Sequence, residues 1–315
     1  MSTSTCLHRV VEVDPGLRIS YIDTAPSGSR TPKGVILLIH GFPQTSYQFR
    51  HVIGKLYLSR TLLITPLSEA GYRVLAPDYR GAGGSSKPLT GFTKSIMAHD
   101  LVRLLDALEI NEKAHVVGVD IGGMVAFALA ARHPSRVASV NWGECPLPGT
   151  SVHEEDRTIN AVQQFHFIFH CESDLAVALV TGRERIYLSH FFQKIAYNTA
   201  AITDEDLDHY VRAYEQPGAL RCAFETYRAF VEDADELRDL VSTNGKLRVP
   251  ALSLSGDRSR HRDSAERMFA EVHEAGTYKV AFVPDAAHYI AEENPEGFVK
   301  ETLKFIERVT GGCSS

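Results

Sequence analysis

A glycine-rich turn around an aspartate, GVDIGG at residues 118–123, constrains this chain more than any other segment. It begins within the last two residues of the apolar run 115–119 and directly precedes a helical pattern, MVAFALA, at residues 124–130. This context predicts a nucleophile elbow, a strand-to-helix turn so tight that small residues must flank its central residue. Many such turns carry serine at that position. We therefore predict that Asp120 is a nucleophile and that it is a carboxylate instead of a hydroxyl.

Short apolar runs at regular intervals predict the sheet that carries this turn. Two alternating segments meet at Pro15-Gly16 and are typical of an antiparallel hairpin. Six further runs alternate with helical patterns, as strands do in a parallel sheet that is covered on both faces. The eight predicted strands are residues 8–13, 17–23, 35–39, 72–76, 115–119, 136–142, 249–255 and 278–283. The predicted fold class is α/β, with an eight-stranded, mostly parallel sheet and helices on both faces.

A different pattern fills residues 146–246, between the sixth and seventh strands. This segment is rich in helical periodicity and aromatic residues, and it contains no comparable apolar run. We interpret it as a helical cap inserted into a core made of residues 1–145 and 247–315. Parallel sheets bind ligands beyond the carboxyl ends of their strands, so we expect the cap to cover the site.

Charge and cysteine content exclude several classes of protein. The net charge is −6 and there is no extended basic stripe, which argues against a nucleic-acid partner. A polar N-terminus and the lack of a long apolar run predict a soluble, cytoplasmic protein without a membrane partner. Five scattered cysteines suit a reducing compartment. We interpret Cys145, which follows the sixth strand, as a buried structural thiol.

The loop after the third strand and two later positions complete the predicted site. HGFP at residues 40–43 lies where a backbone N–H of Phe42 can pair with that of Ile121 to form an oxyanion hole. His288 follows the last strand, which is the place of the catalytic histidine in the chain order nucleophile, acid, histidine. Glu144 and Asp257 follow the sixth and seventh strands, and from position alone either carboxylate can orient His288.

An aspartate nucleophile predicts a different class of substrate from a serine nucleophile. Because its carboxylate is already ionised at neutral pH, it can displace a leaving group from a saturated carbon. An ester on Asp120 then forms, and water activated by His288 hydrolyses it. An epoxide oxygen needs a proton donor to leave, and His166 and Tyr227 are donors in apolar parts of the cap. This chemistry supplies its own nucleophile, acid and base, so no metal and no organic cofactor are expected.

Six segments together resemble the epoxide hydrolases of the α/β-hydrolase fold and span nearly the whole chain. They are HGFPQTSYQFR, APDYRGAGGSSKP, GVDIGG, GECPLPG, YVRAYEQPGALRCAFETYRAF and DAAHYIAEENPE. In that family two cap tyrosines usually hold the epoxide oxygen, and Tyr227 matches the second. The first tyrosine's segment reads FHFIFH here, which resembles a subgroup with a histidine and tyrosine pair and implies His166 as the partner. In that subgroup the acid after the sixth strand serves the histidine, which favours Glu144.

Dehalogenation of a haloalkane or haloacid by the same Asp120 nucleophile is the main alternative, and fluoroacetate dehalogenases are near relatives. They carry arginines one and four residues after the nucleophile and a tryptophan beside the cap histidine, whereas this chain has Ile121, Met124 and Phe167 there. An anionic substrate would lack its bidentate partner. A non-catalytic ligand-binding protein that kept the fold is the alternative of another class. Residues 54–64 look like an insertion relative to the family.

The expected partners are a small, apolar epoxide and water, bound by a monomer or a homodimer. Aromatic residues of the cap suggest the apolar character of the substrate. The residues predicted to contact it are His40, Pro43, Phe165 and Phe167.

Overall fold

A computed structural model describes residues 7–24, 26, 31–53 and 67–311, and it contains one eight-stranded sheet. The strands are β1 (Leu7–Asp14), β2 (Leu17–Thr24), β3 (Val35–Ile39), β4 (Arg73–Pro77), β5 (Ala114–Val119), β6 (Val137–Gly143), β7 (Ala251–Gly256) and β8 (Tyr278–Val283). All eight predicted strands are present, with ends shifted by at most two residues. The predicted insertion at residues 54–64 lies outside the described residues, as do Cys6 and Cys313.

The sheet follows the order β1-β2-β4-β3-β5-β6-β7-β8. β1 pairs antiparallel with β2 around the predicted turn, where Gly16 has a φ of 77° and its N–H donates to Glu12 Oε1 at 2.9 Å. β2 also runs antiparallel to β4, and every later pairing is parallel. The carboxyl ends of β3, β5, β6, β7 and β8 therefore lie along one edge of the sheet.

Five helices belong to the sheet layer: α1 (Lys94–Ala107), α2 (Ile121–Arg132), α10 (Ala265–Val272), α11 (Ile290–Glu293) and α12 (Pro295–Gly311). Strand side chains alternate between two hydrophobic clusters. Leu37 and Ile39 of β3 belong to the cluster that includes residues of α1, α2 and α10, while Ile36 and Leu38 belong to the cluster that includes residues of α12. Because each of these side chains is fully buried, each contributes roughly 1.5–3 kcal/mol to folding. The continuously apolar strand pattern thus follows from helices on both faces.

Between β6 and β7 the chain forms seven α-helices and no strand, and the structure describes every residue of this segment. They are α3 (Ser151–Arg157), α4 (Phe165–Phe169), α5 (Ser173–Val180), α6 (Glu184–Ile195), α7 (Asp204–Tyr214), α8 (Ala219–Arg228) and α9 (Phe230–Asn244). We refer to residues 146–246 as the cap.

A buried ion pair joins the cap to the sheet layer. Lys94 Nζ at the start of α1 donates to Asp233 Oδ2 in α9 and to the Thr226 carbonyl oxygen, each at 2.7 Å. The backbone N–H of Lys94 donates to Asp233 Oδ1, also at 2.7 Å. The Asp233 carboxylate therefore caps the N-terminus of α1, where the helix dipole favours negative charge.

Within the described ranges, no helix has both the length and the apolar character that crossing a membrane requires. Cys145 is fully buried, and this burial raises the pKa of its thiol well above the ordinary value. Burial of this kind favours the thiol over the reactive thiolate.

Candidate active site

Asp120 lies between β5 and α2 in the turn that its neighbours predict. Its φ of 56° and ψ of −130° are unusual for a residue with a side chain. A Cβ atom on Gly118 would lie 2.1 Å from the Gly122 carbonyl oxygen, and one on Gly122 would lie 2.1 Å from the Ile39 carbonyl oxygen. Only glycine fits at these two positions, because backbone atoms cannot give way as a flexible side chain can. The turn therefore holds the Asp120 carboxylate at the carboxyl end of β5.

Gly122→Ala should lower the free energy of unfolding by about 3 kcal/mol, because the added methyl group would overlap the backbone of β3. Urea unfolding followed by circular dichroism measures this change. Gly34→Ala is the matched control, since a Cβ there meets its neighbours only at 3.9 Å. Equal midpoints for the two variants would contradict the packing described for the turn.

Two backbone N–H groups bind the Asp120 carboxylate. Phe42 N–H donates to Oδ1 at 2.8 Å, and Ile121 N–H also bonds to the carboxylate. Oδ2 lies 3.7 Å from His288 Nε2. Burial raises the pKa of Asp120, although the charge of His288 and the two N–H bonds act in the opposite direction. The two N–H groups predicted for an oxyanion hole therefore both bond to the carboxylate of the predicted nucleophile.

Glu144 is the acid in contact with His288. His288 Nδ1 lies 3.2 Å from Glu144 Oε2, which also accepts the Ser259 hydroxyl at 2.7 Å. Gly256 N–H donates to Glu144 Oε1 at 2.8 Å, so both carboxylate oxygens are fixed. Burial lowers the pKa of His288, but the bond to Glu144 and the charges of Asp120, Glu144 and Glu293 outweigh burial and raise it.

Asp257, the second candidate for orienting His288, does not contact the histidine. Its backbone N–H continues the sheet by donating to the Val283 carbonyl oxygen at 2.9 Å. Its Oδ1 has no hydrogen-bond partner among the residues that the structure describes, and it lies 3.7 Å from Arg258 Nε. Of the two acids that the sequence left open, Glu144 is therefore the one in contact with the imidazole, and Asp257 is not.

A cavity of about 520 Å³ lies between the edge of the sheet and the cap. Its apolar walls include Phe42, Phe167, Phe191, Ile195 and Tyr227, and Asp120 and His288 also line it. Lys194, Arg258 and Arg260 line it as well and are exposed. The Asp120 carboxylate therefore faces a mainly apolar space.

His166 and Tyr227 both line this cavity, with ring centroids 5.5 Å apart. Burial, and then the charges of Lys194, His288 and Arg260, lower the pKa of His166 to about 3. Burial raises the pKa of Tyr227 well above 10, and the charge of Asp120 adds to this shift. Both side chains are therefore neutral across the physiological pH range, so each can donate a hydrogen bond.

Of the four residues predicted to contact substrate, Phe167 lines the cavity and the other three do not. Because the HGFP loop turns the backbone of Phe42 toward Asp120, His40 points into the core. It stacks on Tyr79 at 4.1 Å, and its Nδ1 lies 2.9 Å from the Gly41 carbonyl oxygen. Pro43 is buried in the same loop. Phe165 packs instead beside His190 and Lys194.

Sequence reasoning missed Ser259 and His261, which lie on the loop after β7 and line the cavity. The nearest signal was the position of SGDRSRH at the end of a parallel strand. Glu144, His261 and His288 also present potential metal-ligand atoms within 4.8 Å of one another. In this structure Glu144 and His288 are engaged with each other.

Comparison with known proteins relates the whole chain to one group. A family model described as the alpha/beta hydrolase fold matches residues 34–164. The soluble epoxide hydrolase of Corynebacterium sp. strain C12 is 30% identical over 310 residues, covering 97% of this chain and 99% of that protein. The solved structure of epoxide hydrolase CorEH without ligand has a TM-score of 0.81 at 28% identity and covers 97% of this chain and 100% of that one. Wild-type Cfl2 from Burkholderia cenocepacia has a TM-score of 0.81 at 30% identity, with 95% of each chain covered.

Proposed function

This chain belongs to the epoxide hydrolases of the α/β-hydrolase fold, and we propose that it hydrolyses an apolar epoxide through a covalent ester on Asp120. The observation that best supports the mechanism is that the two oxygens of this carboxylate have different neighbours. Oδ1 accepts the N–H of Phe42, while Oδ2 lies beside His288 Nε2. One oxygen is held in place and the other is available to attack.

In the first step, Oδ2 attacks an epoxide carbon and the bond from that carbon to the epoxide oxygen breaks. The oxygen would leave as a strongly basic alkoxide, so it must gain a proton as the bond breaks. Tyr227 and His166 are neutral donors that line the cavity facing Asp120. The pair holds the oxygen and delivers one proton, which gives a hydroxyalkyl ester of Asp120.

In the second step, water attacks the carbonyl carbon of the ester, and His288 takes its proton. Glu144 stabilises the imidazolium that forms, through the contact between Oε2 and Nδ1 at 3.2 Å. Negative charge develops on the carbonyl oxygen next to the N–H groups of Phe42 and Ile121. Such donors contribute about 3 to 4 kcal/mol each in comparable sites. His288 then returns the proton to the departing oxygen, and the diol leaves. The second proton of the water, left on the regenerated Asp120 carboxyl, returns to the cap donor that lost its proton in the first step, which restores the starting state.

The environment of the nucleophile favours an epoxide over a halocarboxylate. Ile121 and Met124, the positions one and four residues after Asp120, are buried apolar residues of α2. Phe167 stands where the related dehalogenases carry tryptophan. A substrate carboxylate bound there would lose its water without gaining a bidentate cation. An uncharged substrate avoids this cost.

A substrate panel tests the proposed activity. Purified protein is incubated with alkyl and aryl epoxides and with haloacetates, and diol and free halide are both quantified. We expect diol formation from apolar epoxides that fit a cavity of about 520 Å³. Halide release without any diol would overturn the proposal in favour of dehalogenation.

Tyr227→Phe should slow formation of the ester by about 100-fold, because it removes the hydroxyl while keeping the ring that packs on Phe42. Rapid-quench mass spectrometry of the intact protein measures this step. Tyr187→Phe is the matched control, since its hydroxyl bonds to His170 at 2.6 Å and does not line the cavity. If both variants formed the ester at the original rate, the proposed role of Tyr227 in protonation would be wrong.

A further inference from the structure

Glu293, five residues after His288, is a buried acid that holds two separate parts of the chain. Its Oε1 accepts the N–H of Tyr289 at 2.8 Å, and its Oε2 accepts that of Ala287 at 3.1 Å. These donors lie on either side of His288. The same Oε2 also accepts the N–H groups of Tyr197 and Asn198, at 2.8 and 2.9 Å. One carboxylate thus binds both the cap and residues 287–289, which we refer to as the histidine loop.

A backbone contact reinforces this junction. The N–H of His288 itself points to the Ile195 carbonyl oxygen at the end of α6, at 3.4 Å. The cap segment 195–198 therefore lies directly on the histidine loop. Ile195 and Tyr197 also line the cavity, so the segment that Glu293 holds borders the substrate.

The hydrogen-bond donors to this carboxylate, within the described part of the chain, are all backbone N–H groups. Among the described residues, no lysine, arginine or histidine forms an ion pair with Glu293, which is 7% exposed. Four N–H donors are the type of environment that fixes a carboxylate and makes its loss costly. A carboxylate is suited to this task because it accepts in several directions at once, whereas a glutamine side chain would point two donors at some of these N–H groups.

We propose that Glu293 is a positioning residue for ester hydrolysis, which keeps His288 aligned with the Asp120 ester only while cap segment 195–198 is seated on the histidine loop. The inference rests on the proposed function, because it assigns a role to Glu293 in the second step of that mechanism. It adds a link between the contacts of the cap segment 195–198 and the alignment of the base.

The charge of Glu293 contributes a larger share of the stabilisation of the His288 imidazolium in the ester than in the free enzyme. The anions facing His288 in the free enzyme are Asp120, Glu144 and Glu293, and all three raise its pKa. The neighbouring His166 and His261 are neutral, since burial lowers the pKa of each to about 3. Once Asp120 is an ester, its charge is gone. Glu144 and Glu293 are then the anions left to stabilise the imidazolium.

Three glutamine substitutions in one short segment test this role. Glu293→Gln removes the charge and disturbs the four contacts. Glu292→Gln disturbs a neighbouring acid whose side chain contacts Arg50, Gln44 and the Tyr210 hydroxyl of cap helix α7. In the part of the chain that the structure describes, only the backbone of Glu292 bonds to the histidine loop, and the substitution keeps that bond. Glu296→Gln changes an exposed residue of α12. Rapid-quench mass spectrometry with an epoxide that the native protein turns over separates ester formation from ester hydrolysis.

We expect Glu293→Gln to slow ester hydrolysis by about tenfold or more. This is the low end of the loss seen when the residues that orient metal-ligating histidines are substituted. Ester formation should change less. The pH midpoint of hydrolysis should move down by about half a unit or more, because the imidazolium loses a nearby negative charge. Glu296→Gln should hydrolyse the ester at the native rate and with the native pH midpoint. Glu292→Gln should keep the native pH midpoint even if the loss of its contact with Tyr210 weakens attachment of the cap.

Asn198→Pro removes a contact of Glu293 with the cap without removing the charge of Glu293. It also tests the proposal if Glu293→Gln does not fold. It deletes one cap N–H, which lies 2.9 Å from Oε2, while the carboxylate remains. Hydrolysis should slow with the native pH midpoint. Native hydrolysis kinetics in both variants would overturn the role of Glu293. Failure to detect any ester in the native protein would instead refute the mechanism on which that role rests.

Discussion

Asp120→Ala should reduce epoxide turnover by about 10⁴-fold or more, because it removes the oxygen that forms the ester. Glu144, another carboxylate that lines the cavity, is held by Gly256, Ser259 and His288. The fold should persist. Burial raises the pKa of Asp120, which means that the charged carboxylate is less stable in the folded chain than in water. Diol formation measured by mass spectrometry, together with thermal unfolding, separates lost chemistry from lost structure.

Asp257→Ala is the matched control for this loss. Asp257 lies at the end of the neighbouring strand β7 but has no contact with His288. The variant should keep native turnover to within a few fold. Substantial diol formation by Asp120→Ala, or inactivation by Asp257→Ala, would show that the nucleophile or the orienting acid is misassigned.

His288→Gln should trap the ester. The substitution leaves Asp120 and the cap donors in place, so the first step should still occur, while the base for the second step is missing. General-base catalysis contributes about 10²- to 10⁴-fold, and hydrolysis should slow by that amount. Intact-protein mass spectrometry should then show one adduct per chain, with a mass increase equal to that of the epoxide.

The trapped adduct also has a defined position. Peptide mapping should place it on Asp120, and Asp120→Ala/His288→Gln should form none. An adduct on another residue, or continued native turnover by His288→Gln, would contradict the proposed roles. Glu144→Gln should show the same accumulation more weakly, because it disturbs only the orientation and stabilisation of His288.

The sheet and the elbow could be predicted because their signals are local. Continuous apolar runs such as 35–39 are typical of strands that helices cover on both faces. Gly118 and Gly122 are required because a Cβ there would overlap the backbone of the turn itself or of the neighbouring strand. His288 was identified by chain order alone. The predicted fold was confirmed, since the eight strands and the family both agree with it.

The direction in which a side chain points, and contacts between distant segments, cannot be predicted from the spacing of residues in the sequence. Glu144 and Asp257 both follow parallel strands, and only the turn after β6, where Glu144 has a φ of 57°, directs its carboxylate to His288. His40 stands in a recognisable loop, yet its ring packs on Tyr79. The contacts of Glu293 join residues about 95 positions apart, which no local pattern reveals.

Oxygen-18 labelling in a single turnover tests the ester on Asp120 most directly. Protein in excess over epoxide reacts in oxygen-18 water, and both the diol and the peptide containing Asp120 are analysed. Because water attacks the carbonyl carbon of the ester, the heavy oxygen should enter Asp120 while the diol keeps oxygen from the original carboxylate. Heavy oxygen in the diol of the first turnover, with none in Asp120, would mean that water attacks the epoxide directly.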